Sequence, residues 1–376
     1  MTGDARARAI SALVASVRGE DAAPVGTGVR DEELLEICAA EGFSPLVYRR
    51  LATKADEAWP AAMRAALERE AHASAVQEAL RRRELAAVIE SFAAADVPVI
   101  LLKGAAVAYS VHDEPADRPR ADTDLLIPRE KVDAARAELH RLGYQPSILC
   151  DGDLFCQFEM VKTDRFGVHH AIDCHWKIST QPVFADMVTF DELDREAVPL
   201  PRLHSLARAA GPVHAIFLAC LHPAMHHRNI ERLIWTYDIH LLASRLSESE
   251  FDRLAGLATA KRAGAVVACQ LRRARGRFGT VVPGGALARL EGALGEPSAD
   301  YLRSGRRWHN ELVSSMRGLA AWPDRVRLAR DVMFPDARYM LRSYGLESSV
   351  IGPALLPTLY AHRGIKGVLR VLAGKK

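Results

Sequence analysis

The 376-residue sequence predicts an α+β fold in which a small mixed β-sheet lies between two helical regions. Stretches rich in Ala, Leu, Arg and Glu occupy both ends of the chain, whereas short β-branched or alternating runs concentrate between residues 96 and 180. The first composition favours helices and the second favours strands. We therefore divide the chain into an N-terminal helical region at 1–95, a mixed-sheet module at 96–200 and a C-terminal helical domain at 201–376.

The first helical region is followed by an abrupt change of pattern. Residues 61–94 show helical spacing without a strand signal. The charge cluster Arg81-Arg82-Arg83-Glu84 is interpreted as a solvated helix face in preference to a phosphate-contacting role. The apolar, β-branched run 97–102 predicts a buried strand. It ends at Lys103-Gly104, and a short helix is predicted over 105–111.

The rest of the module predicts roughly five strands and two helices in total. A second strand is expected at 123–127, and an amphipathic helix at 128–142 ends before Gly143. Three further strands are expected at 144–150, 155–162 and 168–178. From residue 203 onward the pattern returns to helix, with segments at 214–246, 251–277, 286–294 and 301–333.

Composition excludes several classes of protein. The chain is 49% hydrophobic and 26% charged, values that are typical of a folded globular protein. Its 50 Lys and Arg against 47 Asp and Glu leave a net charge of +3, so no strong nucleic-acid signal is present. Six cysteines without a CxxC pair favour reduced thiols in a cytoplasmic protein. No uninterrupted apolar run predicts a membrane span.

The candidate metal-ligating residues are concentrated on two predicted strands. Asp122 and Asp124 are two residues apart, so both side chains point to one face of a strand. Asp173 and His175 share one face of a later strand in the same way. Neighbouring carboxylates repel each other, and a divalent cation such as Mg²⁺ relieves that repulsion. The pattern therefore predicts a metal-lined cleft, in which two ions could clamp the oxygens of a phosphoryl transfer.

Other polar residues have simpler interpretations. His222, His226 and His227 include an i, i+4 pair, but no HExxH motif accompanies them, so a structural or cleft-lining role is favoured over zinc. Asp238 is expected to be a buried or interfacial acid paired with an arginine, and Arg120 is expected at the surface. The sequence contains no P-loop, dinucleotide fingerprint or nucleophile elbow.

Three motifs in order carry a resemblance to a known family. They are the strand ending in Lys103-Gly104, the segment 118–127 (Arg-Pro-x-x-Asp-x-Asp-Leu-Leu-Ile) and the segment 172–176 (Ile-Asp-x-His-Trp). This set resembles the bacterial "uncharacterised nucleotidyltransferase" family of the polymerase-β-like nucleotidyltransferase superfamily. Residues 214–242 are similar to its histidine-bearing helical segment and 334–345 to its C-terminal stretch. The resemblance covers roughly residues 60–376.

The resemblance implies a nucleotidyltransferase module that binds two Mg²⁺ ions, with Mn²⁺ as an alternative, and an NTP such as ATP in a cleft. Asp122 and Asp124 would bind both ions, and Asp173 would bind the ion that activates the acceptor. These three residues are the expected catalytic set. The nucleotide contacts are expected from four further residues: Lys103, Gly104, Arg118 and His175.

Two positions depart from the pattern of the superfamily. Gly104-Ala105 stands where Gly-Ser or Gly-Gly is usual, which removes a hydroxyl that could bind phosphate. Ala121 stands where the family often has Ser before the first Asp. These departures bear on nucleotide affinity more than on the metal site.

The chain is therefore predicted to transfer an NMP from an NTP to a hydroxyl acceptor, with release of pyrophosphate. A small-molecule acceptor is favoured over a macromolecule. One alternative is a catalytically weak nucleotide-binding or scaffold module of the same fold, which the Gly104-Ala105 departure supports. Another alternative is a nucleotide-transferring toxin or protein-modifying enzyme.

Overall fold

The computed structural model describes residues 3–20, 28–53, 59–152, 156–292 and 295–303, and most residues between 313 and 372. Thirteen α-helices precede residue 303 in the described chain: α1 (Gly3–Arg18), α2 (Asp31–Glu41), α3 (Ser44–Thr53), α4 (Ala61–Ala94), α5 (Lys103–Ser110), α6 (Val132–Arg141), α7 (Pro182–Ala185), α8 (Phe190–Arg195), α9 (Pro212–His226), α10 (Leu233–Ala243), α11 (Glu248–Ala260), α12 (Gly264–Phe278) and α13 (Gly284–Glu291). Further helices span Trp322–Met333, Ala337–Ser343 and Gly352–Leu372. None of the described helices combines the length and apolar character that crossing a membrane requires.

One mixed sheet joins the strands of the described chain. They are β1 (Ile100–Leu101), β2 (Thr123–Leu126), β3 (Gln145–Gly152), β4 (Gln157–Thr163), β5 (His169–His175), β6 (Val198–Pro199) and β7 (Arg208–Ala209). Their order across the sheet is β3-β4-β5-β2-β1-β7-β6, with the β2–β5 and β1–β7 pairs parallel and the other pairs antiparallel. The predicted α+β class is confirmed.

The first strand is shorter than the sequence predicts. Of the run 97–102, Ile100 and Leu101 form the ladder pairs with neighbouring strands, and the Leu102 N–H donates to the Asp124 carbonyl of β2 at 3.0 Å. Pro98 has no N–H to donate to a β-ladder, so it interrupts the pairing. Val97 and Val99 are nevertheless buried in the hydrophobic core, which explains why the run is apolar. The prediction of burial is therefore correct, and the prediction of a six-residue strand is wrong.

The later strands of the sheet also differ from expectation. β5 stops at His175, and Ile178, expected in the strand, instead packs in a second hydrophobic core with α9. β6 and β7 were not predicted, because two-residue strands carry no periodic pattern. β7 lies beyond residue 200, so the sheet extends past the expected end of its module. The division of the chain into three regions otherwise stays a prediction.

The register between β2 and β5 sets the geometry of the site. The strands are parallel, with Asp124 beside Asp173 and Leu126 beside His175. Alternate residues face opposite sides of a sheet. Leu125 and Cys174 therefore point into the hydrophobic core beneath α4 and α6, where both are 0% exposed. The carboxylates point the other way.

The helical regions before and after the sheet pack against each other. Phe43, between α2 and α3, shares a hydrophobic core with Ile234 of α10 and Phe278 of α12. A separate core holds α9 to α12 together through Phe217, Leu254 and other apolar residues. As a result, the C-terminal end of α9 and the start of α10 are fixed in place over the polar face of the sheet.

Candidate active site

The turn between β1 and α5 holds an unusual backbone conformation. Lys103 adopts a φ of +48°, in the left-handed region that non-glycine residues seldom occupy. α5 starts at this residue, and Leu102 before it provides no side-chain cap. The first N–H groups of an α-helix lack partners within the helix and attract anions. This turn therefore places a helix N-terminus, which favours anions, beside the polar face of the sheet.

Four polar side chains meet where β2 and β5 run side by side. Asp124 Oδ1 accepts hydrogen bonds from Lys103 Nζ at 2.6 Å and from His175 Nε2 at 2.9 Å. The same imidazole nitrogen lies 3.2 Å from Asp173 Oδ2. Asp124 is 4% exposed and His175 is 1% exposed, so these interactions take place largely out of water. The sequence-predicted pair Asp124 and Asp173 is thus brought into one cluster.

The charges of this cluster depend on one another. Burial would raise the pKa of Asp124, but the Lys103 ammonium and the His175 hydrogen bond outweigh it and hold that pKa far below its usual range. Burial opposes the charge of Lys103, and the charge of Asp124 more than compensates, so the pKa of Lys103 is raised. Asp124 is therefore an ionised carboxylate that needs a cation beside it, the role that Lys103 fills.

Asp122 lies at the rim of the same site. Its side chain is exposed, yet it lines the cavity together with Asp124 and Asp173. Reduced solvation and the charge of Asp124 raise the pKa of Asp122. Asp122 is not among the three residues that lie close enough to hold one ion together, so its expected role as a ligand stays a prediction.

The donor set fits a divalent cation. Asp124, Asp173 and His175 each offer one ligand atom, and these atoms lie within 4.8 Å of one another. Gln157 donates a hydrogen bond to Asp173 Oδ2 at 2.9 Å, whereas Asp173 Oδ1 is buried without a hydrogen-bond partner in the described chain. A buried carboxylate oxygen is costly unless it is paired with a donor or a cation. Within the part of the chain that the structure describes, this is the one group of three such residues.

His175 lies between the two carboxylates of the cluster. Its ring is enclosed between Asp124 and Asp173, whose charges raise its pKa against the opposing effects of burial and of Lys103. The geometry suits a metal ligand or a group that orients the two carboxylates. A direct contact of His175 with the nucleotide remains a prediction.

A cavity of about 590 Å³ opens over the carboxylates. This volume lies within the usual range for small-molecule sites. Its walls come from α5, β2, β5, α9 and the start of α10, so that both the sheet module and the C-terminal helices contribute. Lys103, Gly104 and Arg118, three of the residues expected to contact the nucleotide, all line it.

Arg118 is held rigidly at this cavity. Its Nε donates to both carboxylate oxygens of Asp238 on α10, at 3.1 and 2.8 Å, and Asp238 also contacts His112 Nε2 at 2.8 Å. The expected arginine partner of Asp238 is thus confirmed as Arg118. A side chain added at Gly104 would lie 3.4 Å from the Arg118 Nη1, so the guanidinium sits directly over the start of α5. This places a fixed cation beside the turn between β1 and α5.

Several cations at the cavity were missed or placed wrongly from sequence. Arg120 is 8% exposed and forms an ion pair with Glu78 at 2.9 Å, so its expected surface position is wrong. Arg81, assigned to a solvated helix face, lines the cavity. Arg232 at the start of α10 also lines it and was not singled out. Sequence patterns do not show which arginine of a charged helix turns inward, because the facing element comes from elsewhere in the chain.

A group of aromatic rings faces the carboxylates across the cavity. His227 stacks on Trp235 with ring centroids 4.3 Å apart, and His222 meets Trp235 edge-on at 5.0 Å. Burial together with the charge of Lys103 lowers the pKa of His226 to about 3, and the pKa of His222 falls well below its usual value. These imidazoles are therefore neutral. Their cleft-lining position agrees with the interpretation made from the sequence.

A mixed sheet that presents clustered carboxylates beside a helix N-terminus, under a cavity lined with cations, is an arrangement that suits the transfer of phosphorus-containing groups. The family model of uncharacterised nucleotidyltransferases matches residues 27–279 of the chain. The match covers more than half of the chain, so the chain belongs to this family and is a nucleotidyltransferase. No curated protein matches it.

The matched range differs from the one expected from the sequence motifs. It starts at residue 27, and so takes in α2 and α3, which precede the expected start near residue 60. It ends at residue 279, at the end of α12. The segment 334–345, on which part of the resemblance was based, lies outside the match.

Proposed function

We propose that the chain transfers an NMP from an NTP to a hydroxyl acceptor at the cavity over β2 and β5, with Mg²⁺ as the metal cofactor. The observation that carries this proposal is the juxtaposition of Asp124, Asp173 and the start of α5 in one cavity. Hard oxygen ligands of this kind suit Mg²⁺, with Mn²⁺ as an alternative. The metal would polarise the α-phosphate and lower the pKa of the attacking hydroxyl.

The triphosphate would be bound by the protein's own groups. The free N–H groups at the start of α5 and the guanidinium of Arg118 face the same part of the cavity. Arg118 is already paired with Asp238, so little side-chain entropy is lost when it meets a phosphate. With a divalent ion bound at Asp124, the Lys103 ammonium would move to the phosphate oxygens, as a flexible point charge can.

The remaining steps are the attack on the α-phosphorus and the removal of the hydroxyl proton. The acceptor oxygen attacks the α-phosphorus, the bond from that phosphorus to the bridging oxygen breaks, and pyrophosphate leaves with the electron pair. The hydroxyl proton passes to a carboxylate or to water, and Asp173, with its unpartnered Oδ1, is the candidate acceptor of that proton. We propose Asp122 as a further ligand at the rim, which would permit two ions to share the site. Catalysis is then mainly positioning and neutralisation of charge.

The proposal is tested by following an NTP labelled at the α-phosphate in the presence of Mg²⁺ and a metabolite extract as the source of acceptors. We expect the label to move to a new compound while one pyrophosphate is released per transfer. EDTA should abolish both signals, and excess Mg²⁺ should restore them. Release of orthophosphate in place of pyrophosphate would contradict the proposal, because it indicates cleavage at the terminal phosphate.

A further inference from the structure

The residues that line the cavity fall into two sets of opposite character. One set comprises the carboxylates, Lys103, Arg118 and Arg232, together with the stacked rings of His227 and Trp235. The other set is small or aliphatic, and we name the part of the cavity that it lines the apolar arm: Val107, Ile178, Ala210, Ala215, Leu218 and Ala219. Such a division within one cavity suggests two ligands with different chemistry.

The direction of the apolar arm follows from α9. Ala215, Leu218, Ala219 and His222 lie at i, i+3, i+4 and i+7 spacing, so they form one stripe that faces the cavity. The His222 end of the stripe lies near the Lys103–Asp124 pair, whose charges act on the His222 ring. An α-helix rises 1.5 Å per residue, so Ala215 lies about 10 Å from His222 along the axis of α9. α5 forms the opposite wall, from Lys103 at the carboxylates to Val107 one turn further.

The charged half suits the nucleotide. Phosphates are matched by the guanidinium groups of Arg118 and Arg232 and by the start of α5. A nucleobase presents flat faces, which aromatic rings such as Trp235 accept by stacking, and polar edges that need hydrogen bonds. On this side of the carboxylates, the His227–Trp235 pair presents aromatic surface beside the guanidinium groups.

The apolar arm does not suit a nucleobase or a charged acceptor. Ser110 is the polar side chain nearest to it on α5, and its hydroxyl is already bonded to the Val107 carbonyl at 3.4 Å. Polar groups moved from water into such surroundings lose hydrogen bonds without replacement, at a substantial cost. The arm favours an apolar group, because binding then removes the hydrocarbon surfaces of the walls and of that group from water.

We infer that the apolar arm binds the acceptor and that this acceptor is an alcohol carried on an aliphatic or aromatic hydrocarbon group. The inference rests on the proposed function, since it is the transfer reaction that requires a hydroxyl beside the carboxylates. The hydroxyl would lie at the Asp124–Asp173 end, where it can attack the α-phosphorus and displace pyrophosphate. The hydrocarbon part would fill the space between α5 and the first turns of α9.

A fluorescence titration with 1-naphthylmethanol, a primary alcohol on an apolar ring, tests the inference on the full chain. The titration is made without nucleotide and again with Mg²⁺ and a non-hydrolysable ATP analogue. We expect saturable binding to the wild-type protein in both conditions. Ala219→Phe, which fills the arm, should weaken this binding by about tenfold or more, while the affinity for the ATP analogue is unchanged.

Two further variants keep the test decisive. Ala73→Phe adds the same bulk to the exposed surface of α4 and should leave both affinities unchanged. Ala219→Val adds less volume and should weaken alcohol binding in the same direction, which covers the case in which Ala219→Phe does not fold.

The contrary outcomes are distinct from one another. Absence of saturable alcohol binding, or equal binding to the wild type and Ala219→Phe, would overturn the inference. Loss of affinity for the ATP analogue in Ala219→Phe would show that the nucleobase occupies the arm and would also overturn it. If the analogue binds to no form of the protein, the proposed function fails. The titration without nucleotide then still decides whether the arm binds an apolar alcohol.

Discussion

Replacing Asp124 by asparagine is expected to lower the rate of pyrophosphate release by about a thousandfold, the scale of loss seen when a preorganised group that stabilises the transition state is removed. Asp124 Oδ1 is the point at which Lys103 and His175 meet, and its neighbour Asp173 completes the candidate metal site. An amide oxygen carries no net charge and binds a divalent cation much more weakly. The rate is measured as release of pyrophosphate from the NTP at saturating Mg²⁺.

Asp164→Asn is a matched control for this variant. Asp164 also accepts a hydrogen bond from a histidine, His170 Nε2 at 3.1 Å, but it lies in the turn between β4 and β5, outside the cavity lining. Both variants thus remove the charge from a buried Asp–His pair. Activity should be nearly unchanged in Asp164→Asn, and the account is wrong if the two variants lose activity equally or if Asp124→Asn stays fully active.

Replacing Asp238 by asparagine is expected to destabilise the fold by about 3 kcal/mol, because a buried cation then loses its counter-charge. Asp238 is 4% exposed and holds both Arg118 and His112. The same change releases the guanidinium from its fixed position over α5, so nucleotide affinity should fall as well. Denaturant unfolding measures the first effect and calorimetric titration of a non-hydrolysable NTP measures the second.

Glu231→Gln provides the comparison. Glu231 pairs with Arg277 at 2.8 Å, but both side chains keep about a third of their surface in water. Removing a pair of this kind is expected to cost about 0.5 kcal/mol and to leave nucleotide binding unchanged. Similar losses of stability in the two variants would show that the Arg118–Asp238 pair is not an energetically distinct buried interaction.

The sequence predicted those parts of the site that depend on local periodicity. The two-residue spacing of Asp173 and His175 puts them on one face of β5, and the parallel register then brings Asp124 beside Asp173. An apolar strand with polar residues on one face is visible in a single sequence. The fold class follows from the same alternation of strand and helix patterns.

Other parts of the site depend on contacts between distant elements, which no local pattern records. Arg232 and Trp235 reach the cavity because α10 packs against α2 and α3 through Ile234 and Phe43. Arg81 faces the cavity because α4 lies along the sheet. The residues next to Arg81 in the sequence are also charged, so the sequence does not show which of them turns inward. Strand lengths were overestimated at 97–102 because burial and β-pairing leave the same apolar signal.

The central claim of this account is that Asp124 and Asp173 bind a divalent metal together beneath the cavity. Anomalous diffraction from a crystal soaked in Mn²⁺ and a non-hydrolysable NTP tests it most directly. The account predicts a peak within bonding distance of both carboxylates and of the α-phosphate, with Lys103 withdrawn from Asp124. A nucleotide seated elsewhere in the protein, or a Mn²⁺ peak that contacts neither aspartate, would contradict it.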